Sequence, residues 1–173
     1  MPRNVEIKAR LEDVETTRRL VSAAADGPPQ TLTQTDTFFH ARSGRLKLRE
    51  FSDAPAELIF YERPDTPGPA ESHFERVGVP DPAALGEALA AALGVLGRVS
   101  KRRRLYWVGR TRVHLDAVDG LGDFLELEVV LRDDESPESG AAEAERLMRT
   151  FLIPETARVK EAYVDLLLRT PAR

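Results

Sequence analysis

The first ten residues alternate between apolar and polar positions. In "NVEIKAR", residues 4–10, the apolar Val5, Ile7 and Ala9 occupy every second position. This pattern is typical of a half-buried strand, because successive side chains of a strand point to opposite faces of a sheet. We therefore predict a first strand with one buried face. Its other face carries an acid beside two bases, which either meets water or lines a cavity.

Seven further segments have strand character and are separated by turn-forming residues. They are "TLTQTDTFFH", "GRLKLREF", "AELIFYERP", "ESHFERVGV", "RVSKRRRLYWV", "RTRVHLDAV" and "FLELEVVLR". Their mostly short connections favour antiparallel pairing. Eight antiparallel strands commonly close into a barrel with room for one small ligand. An open sheet with helices on one face is the alternative.

Four segments follow a helical pattern instead. They are "EDVETTRRLVSAAADGPP", "DPAALGEALAAALG", "SPESGAAEAERLMRTFL" and "ARVKEAYVDLLLR". The second begins with Asp81 as a candidate N-cap and Pro82 in the first turn, both of which favour a helix start. No internal repeat or long linker divides the chain, so we expect one domain over residues 1–173.

Four of the predicted strands carry a row of charges opposite a row of aliphatic side chains. In "GRLKLRE" two leucines alternate with Arg45, Lys47 and Arg49, and "RTRVHLDAV" and "FLELEVVL" alternate in the same way. In "SKRRRLY" four consecutive bases blur the pattern, and we expect Arg102 and Arg104 to share the charged face. On these rows the bases outnumber the acids.

The charged rows have two interpretations. Charged alternate positions on antiparallel strands usually form a solvated face with cross-strand ion pairs. If the sheet closes with helices packed on its aliphatic face, however, the charged rows point into the lumen. Crowding guanidinium and ammonium groups there is unfavourable without a bound anion. A closed barrel therefore predicts a polyanionic ligand, and arginine and lysine suit phosphate oxygens.

Acids on the same strands add a candidate metal site. Glu126 and Glu128, two positions apart on one strand, point the same way. With Glu6 nearby they would offer several carboxylate oxygens to Mg²⁺ or Mn²⁺. His114 shares a strand face with other charged residues, and we interpret it as a structural histidine with satisfied hydrogen bonds rather than as a general base.

Composition excludes several other classes of protein. The 173 residues carry a net charge of −4, which argues against a general nucleic-acid coat despite the basic run "KRRR". The absence of cysteine excludes thiolate zinc sites and a cysteine nucleophile. No apolar run of membrane-spanning length and no signal-peptide layout are present, so we expect a cytoplasmic protein without membrane contact.

The same segments carry a family resemblance. "NVEIKAR", "GRLKLRE", "SKRRRLY", "VHLDAVDGLGDFLELEVVL" and "KEAYVDLL" resemble, in order, motifs of the CYTH superfamily, also called triphosphate tunnel metalloenzymes. The resemblance implies an α+β fold, an eight-stranded antiparallel tunnel barrel with helices packed on the outside. It also implies an enzyme that needs Mg²⁺ or Mn²⁺ and acts on a triphosphate.

The resemblance further implies roles for individual residues. The E-x-E-x-K signature of the family falls on Asn4, Glu6 and Lys8, so a neutral amide replaces the first acid here. The expected catalytic residues are Glu6, Lys8, Glu126 and Glu128. The expected metal ligands are Glu6, Asp116, Glu126 and Glu128. The residues expected to bind the triphosphate are Lys8, Lys47, Arg49, Arg63, Arg102, Arg104, Arg112 and Lys160.

Several activities fit such a site. The phrase "HLDAVDGLGDFLELE" is closest to the class IV adenylyl cyclase branch, which converts ATP to cyclic AMP and pyrophosphate. Hydrolysis of ATP, thiamine triphosphate or inorganic triphosphate at the same site is equally compatible. The alternative is a binding module that holds polyphosphate or a nucleotide without turnover. We expect a small-molecule triphosphate as the partner, no nucleic acid, and a monomer or homodimer.

Overall fold

Eight strands and four α-helices build the part of the chain that a computed structural model describes, residues 2–169. Met1 and residues 170–173, which the single-domain prediction includes, lie outside the described residues. The strands are β1 Arg3–Arg10, β2 Gln30–Phe39, β3 Arg45–Phe51, β4 Ala56–Glu62, β5 Ala70–Val79, β6 Val95–Val108, β7 Thr111–Val118 and β8 Gly122–Val130. The helices are α1 Val14–Ala24, α2 Pro82–Leu93, α3 Pro137–Thr150 and α4 Tyr163–Arg169.

The sheet closes on itself in the strand order β1-β5-β4-β3-β2-β6-β7-β8, and each neighbouring pair is antiparallel. Strand β1 has a partner on both sides: Glu6 lies opposite Ala70 of β5 and opposite Glu128 of β8. A sheet without a free edge is a barrel. The predicted α+β fold with an eight-stranded antiparallel barrel is therefore confirmed, and the open sheet is excluded.

The aliphatic rows of the strands form the core outside the barrel, under the helices. Ile7 of β1 and Leu127 of β8 are fully buried in one cluster with Leu147 and Met148 of α3. Helix α3 lies so close to β1 that a Cβ on Gly140 would come within 2.8 Å of Val5. Because this face is taken up by helices, the charged rows of the same strands face inward.

Helix α2 covers the other side of the barrel. Leu85 and Leu89 pack against Phe39 of β2 and Leu48 of β3. The predicted N-cap is confirmed, since the Asp81 side chain accepts a hydrogen bond of 3.0 Å from the backbone N–H of the third residue after it. No helix within residues 2–169 has the length and apolar character needed to cross a bilayer.

The last predicted helix is shorter than its sequence pattern suggested. A helix over residues 157–169 was expected, but α4 begins only at Tyr163. The preceding backbone bonds to β1 instead, because the Val159 N–H donates to the Lys8 carbonyl at 2.9 Å and Arg158 forms a bridge with Ala9. This pairing brings Tyr163 into the barrel, where its ring packs edge-on against Phe124 at 4.9 Å.

Candidate active site

The barrel encloses a cavity of about 480 Å³, lined by inward side chains from all eight strands. This volume is in the range of small-molecule sites. Among the residues that the structure describes, nine lysines and arginines but only five carboxylates line it, although the whole chain is acidic. The barrel thus concentrates positive charge in its interior, as the strand faces predicted.

One side of the cavity, which we name the acidic wall, consists of Glu6, His114, Glu126 and Glu128. Glu6 lies opposite Glu128 across the β1–β8 pair, and His114 lies opposite Glu126 across the β7–β8 pair. His114 Nδ1 is 3.6 Å from Glu126 Oε2 and 3.7 Å from Glu128 Oε1. One ligand atom from each of these three residues lies within 4.8 Å of the others.

Negative charge on the acidic wall is only partly balanced. Burial, Glu128 and Glu126 raise the pKa of Glu6 to about 7, against the pull of Arg63 and Lys8. Burial also opposes ionisation of Glu126, but Lys8, the neighbouring His114 imidazole and the Arg103 guanidinium hold its pKa well below its usual range. Despite burial, His114 and Arg112 also lower the pKa of Glu128. Among the three carboxylates of the wall, Glu6 is therefore the one that its neighbouring cations do not fully compensate.

The acidic wall has the donor set of a divalent-cation site. Within residues 2–169, His114 Nδ1 and Asn4 Oδ1 are buried atoms without a hydrogen-bond partner by distance and angle. Carboxylate oxygens, an amide oxygen and an imidazole nitrogen are all ligands of divalent cations. The residues therefore fit the cation that the family resemblance implies. His114 was interpreted as a structural histidine with satisfied hydrogen bonds. That interpretation is wrong, because its Nδ1 atom has no hydrogen-bond partner.

A second group of inward side chains, which we name the basic wall, consists of Lys47, Arg49, Lys101 and Arg103 on β3 and β6. It borders the acidic wall, because Arg103 donates a hydrogen bond of 2.9 Å to Glu126. Asp36 of β2 lies among these cations and was not singled out in the sequence. It accepts hydrogen bonds from Lys47 at 3.0 Å and from Arg49 at 2.7 Å. Although burial opposes its ionisation, Arg49 and Lys47 hold the pKa of Asp36 well below its usual range.

Strand β6 contributes Lys101 and Arg103 to the cavity, and both side chains are buried. Arg102 and Arg104 point outward and are exposed. The expected inward facing of Arg102 and Arg104 is therefore wrong by one position. Four consecutive bases carry no alternation, and the helices leave this part of the outer face open to solvent, so both faces of β6 tolerate charge.

Asp116 is engaged by cations and by a hydroxyl rather than grouped with the acidic wall. Arg103 donates two hydrogen bonds of 2.6 Å to its carboxylate, and the Tyr163 hydroxyl donates one of 3.0 Å. Despite burial, Arg103 and Lys101 lower its pKa. We therefore treat Asp116 as a residue that positions Arg103, in place of the metal-ligand role expected for it.

Three further bases that were predicted to bind the triphosphate differ from one another in where their side chains lie. Arg63 lines the cavity, its side chain is 5% exposed, and its Nε is 3.5 Å from Glu6 Oε2. Arg112 lines it as well and pairs with Glu128 at 2.7 Å. Lys160 has an exposed side chain that is not part of the lining. Its expected contact with a triphosphate is not supported, because only its backbone carbonyl points toward Arg63, at 3.5 Å.

Lys8 lies where the two walls meet the end of the barrel. Its ammonium is 3.6 Å from Glu126 Oε1 and 4.2 Å from the centre of the Tyr163 ring. The Glu161 carbonyl accepts a hydrogen bond from it at 3.3 Å. The C-terminal segment thus holds Lys8 in place, a function of Tyr163 that its sequence position did not indicate.

Sequence comparison agrees with this architecture. The chain matches the CYTH domain family over residues 2–163, from the start of β1 to the first residue of α4. It belongs to the CYTH family. The prediction of an enzyme of the CYTH superfamily is confirmed at this level.

Individual relatives of this CYTH protein are distant in sequence and close in fold. Adenylate cyclase CyaB of Aeromonas hydrophila is 29% identical, over 76% of this chain and 71% of its own. The PH1012 protein of Pyrococcus horikoshii OT3 has a TM-score of 0.84 at 24% identity, covering 94% of this chain and 98% of its own. HpAC1 of Hippeastrum, an adenylyl cyclase candidate described as having a dominant triphosphatase activity, has a TM-score of 0.67 at 20% identity, covering 96% and 95%.

Proposed function

We propose that this CYTH protein is a metal-dependent enzyme that acts on the triphosphate group of a small molecule. One observation carries the proposal: buried guanidinium groups with unpaired donors line a closed cavity beside a group of carboxylates. Within the described residues, Arg63 Nη2 and Arg112 Nε have no hydrogen-bond partner. Buried donors without partners are unfavourable, and phosphate oxygens would satisfy them.

The basic side chains would hold the phosphate chain along the barrel. Arg63 and Arg112 lie beside the acidic wall, and Lys8 lies next to Glu126. Lys47, Arg49, Lys101 and Arg103 extend the positive surface on the basic wall. A triphosphate bound between the walls would replace water at these groups and be fixed in one orientation, which is the main requirement of phosphoryl transfer.

The acidic wall would hold the cation. Glu126 and Glu128 are the candidate carboxylate ligands, and Glu6 faces the same group. When bound, a divalent cation such as Mg²⁺ or Mn²⁺ supplies charge neutralisation at phosphate oxygens. The residues of the chain orient the phosphates, exclude water and balance the charge that develops on the leaving oxygen.

Two reactions share this arrangement. Attack of the ribose 3′-hydroxyl on the α-phosphorus of ATP would release pyrophosphate and form cyclic AMP. Attack of water on the terminal phosphorus would release orthophosphate. The name of the Aeromonas relative supports the first reaction and the description of the Hippeastrum protein supports the second. We place the adenylyl cyclase-like reaction first because the segment "HLDAVDGLGDFLELE" of β7 and β8 resembles the class IV adenylyl cyclase branch.

The experiment that tests the proposal separates the products. Purified protein is incubated with Mg²⁺ or Mn²⁺ and, in turn, with ATP, GTP, thiamine triphosphate and inorganic triphosphate. Orthophosphate, pyrophosphate and cyclic nucleotide are measured separately, with the Glu126→Ala/Glu128→Ala variant as the inactive control. Cyclic AMP with pyrophosphate identifies a cyclase, and orthophosphate identifies a triphosphatase.

A different outcome would refute the proposal that this protein is an enzyme. If no product forms from any substrate while inorganic triphosphate binds tightly, the protein is a binding module. The cytoplasmic location and the monomeric or homodimeric state stay predictions, which cell fractionation and light scattering would check.

A further inference from the structure

One atom of the acidic wall is not explained by the charge balance of the cavity. His114 Nδ1 is buried, and the side chain that carries it is 4% exposed. It lies 3.6 Å from a Glu126 oxygen and 3.7 Å from a Glu128 oxygen, beyond hydrogen-bond distance to either. A nitrogen held equally between two carboxylates is placed as a third donor around a common point.

Of the two carboxylate oxygens nearest Nδ1, the Glu126 oxygen also accepts from Arg103, and the Glu128 oxygen is the other candidate ligand. Arg103 donates to Glu126 at 2.9 Å and Arg112 pairs with Glu128 at 2.7 Å, each through the Oε2 atom. Lys8 approaches Glu126 on the other oxygen, at 3.6 Å. The Glu128 oxygen nearest His114 is Oε1, whereas Arg112 makes its 2.7 Å contact with Oε2. Nδ1 and this oxygen therefore both face the space between the three side chains.

We propose that His114 Nδ1 is a direct ligand of the divalent cation, which makes the site a mixed nitrogen and carboxylate site that prefers Mn²⁺ to Mg²⁺. This ligand assignment rests on the proposed function, in which the acidic wall binds a divalent cation. It goes further by assigning a ligand outside the carboxylates and by stating which ion the site selects.

The preference follows from ligand chemistry. Mg²⁺ binds oxygen almost exclusively and keeps much of its water, whereas Mn²⁺, which also favours carboxylates, is a transition-metal ion that accepts an imidazole nitrogen more readily than Mg²⁺ does. A site that combines two carboxylates with one imidazole retains affinity for Mg²⁺ through oxygen alone but adds a bond for Mn²⁺. His114 should therefore contribute to Mn²⁺ affinity much more than to Mg²⁺ affinity.

The test uses Mn²⁺ alone, without substrate, on the full chain carrying no histidine tag. The sequence has three histidines, so the His40→Asn/His73→Asn variant keeps His114 as its only one. Pulsed electron paramagnetic resonance of bound Mn²⁺ detects magnetic coupling to a coordinated imidazole nitrogen. We expect this coupling in the variant whose only histidine is His114. When that variant is labelled with ¹⁵N-histidine, the ¹⁴N coupling signal should be replaced by a ¹⁵N coupling signal. This readout leaves the site unmutated.

Affinity supplies the second readout. In His114→Asn the Mn²⁺ dissociation constant should rise about 10- to 100-fold, a typical result of disturbing a metal–imidazole site. The Mg²⁺ constant, measured by competition, should change less than about threefold because oxygen ligands dominate its binding. His40→Asn, at an exposed position, is the matched control and should change neither constant.

The outcomes separate this proposal from the proposed function. Absence of histidine coupling in the variant with His114 alone overturns the ligand assignment, whatever the turnover. Equal weakening of Mn²⁺ and Mg²⁺ binding in His114→Asn overturns the metal preference. Histidine coupling without turnover of any triphosphate supports the ligand and refutes the enzyme.

Discussion

The two walls of the tunnel are built from the same strand geometry but differ in how their charges are satisfied. On the basic wall, Asp36 is 2% exposed and accepts from both Lys47 and Arg49. On the acidic wall, Glu6 is also largely buried, with 14% of its side chain exposed, yet its nearest base is 3.5 Å away and its pKa is raised to about 7 by burial, Glu128 and Glu126. Burial alone therefore does not distinguish a structural charge from a functional one.

The difference assigns separate roles to the two regions. A buried carboxylate with close cationic partners stabilises the fold, and removing it leaves buried charges unpaired. A carboxylate whose pKa is raised by burial and neighbouring carboxylates, as that of Glu6 is, is unfavourable in its charged form and is stabilised when a cation binds. We infer that Asp36 holds the basic wall together, whereas the acidic wall is set up for a ligand.

The largest expected effect is on turnover when the acidic wall loses its charge. Glu126→Gln/Glu128→Gln keeps the shape of both side chains but removes two metal-binding carboxylates, so kcat should fall by at least about 1,000-fold. Product release from the preferred triphosphate measures this loss. Glu75→Gln, on an exposed position of β5, is the control and should retain full activity. A double variant that keeps more than a tenth of the activity would contradict the role of the wall.

The next largest effect is on stability, at the basic wall. Asp36→Asn strips Lys47 and Arg49 of a buried partner, and the free energy of unfolding should fall by about 3 kcal/mol. Denaturant titration at pH 7 measures the change, with the exposed Asp134→Asn as control. Inorganic triphosphate should restore more stability to the variant than to the wild type, because it supplies the missing negative charge. A loss no larger than that of the control would show that Asp36 is not structural.

Stability of the metal-free protein should fall as the pH rises from about 4.5 to 7. The pKa of Glu6 is raised from 4.5 to about 7, so in this window the folded state holds a proton that the unfolded state releases. The difference between wild type and Glu6→Gln isolates this residue and should change by roughly 2 kcal/mol across the window. Denaturant titrations at several pH values in chelator provide the measurement. A difference that does not vary with pH would show that Glu6 ionises normally.

The smallest effect distinguishes the two faces of β6. Arg103→Lys loses the two-pronged geometry that arginine offers to a carboxylate and to phosphate, and kcat/KM should fall about tenfold. Arg102→Lys, one position along on the outer face, makes the same chemical change and should have no measurable effect. Equal losses in both variants would contradict the observed facing of the strand.

Strand faces were predictable wherever aliphatic residues marked one side. Strand β3 alternates cleanly, and Lys47 and Arg49 face the cavity as its pattern indicated. Strand β6 offered no such mark, and Val99 and Leu105 even lie on the inner face with Lys101 and Arg103. Which side of β6 points inward depends on its pairing with β2 and β7, a long-range property that local alternation does not contain.

Contacts between distant segments account for the other differences. Asp36 became recognisable only once β2 was placed beside β3, which brings it opposite Arg49. Tyr163 enters the barrel because the segment before α4 pairs with β1, whereas its own pattern predicted an uninterrupted helix. Lys160 was chosen by motif position, and the same pairing leaves its side chain in solvent. Local sequence patterns thus identified the strands and most inward charges, while the partners of those charges required the fold.

The central claim is that triphosphate and cation bind together between the two walls. Calorimetry with a hydrolysis-resistant, nitrogen-bridged analogue of inorganic triphosphate tests it directly, in chelator and in Mn²⁺. In the wild type Mn²⁺ should tighten binding by about tenfold or more, because each ligand strengthens the site of the other. In Glu126→Gln/Glu128→Gln this tightening should disappear while metal-free binding persists. Equal affinity with and without Mn²⁺ in the wild type would contradict the claim.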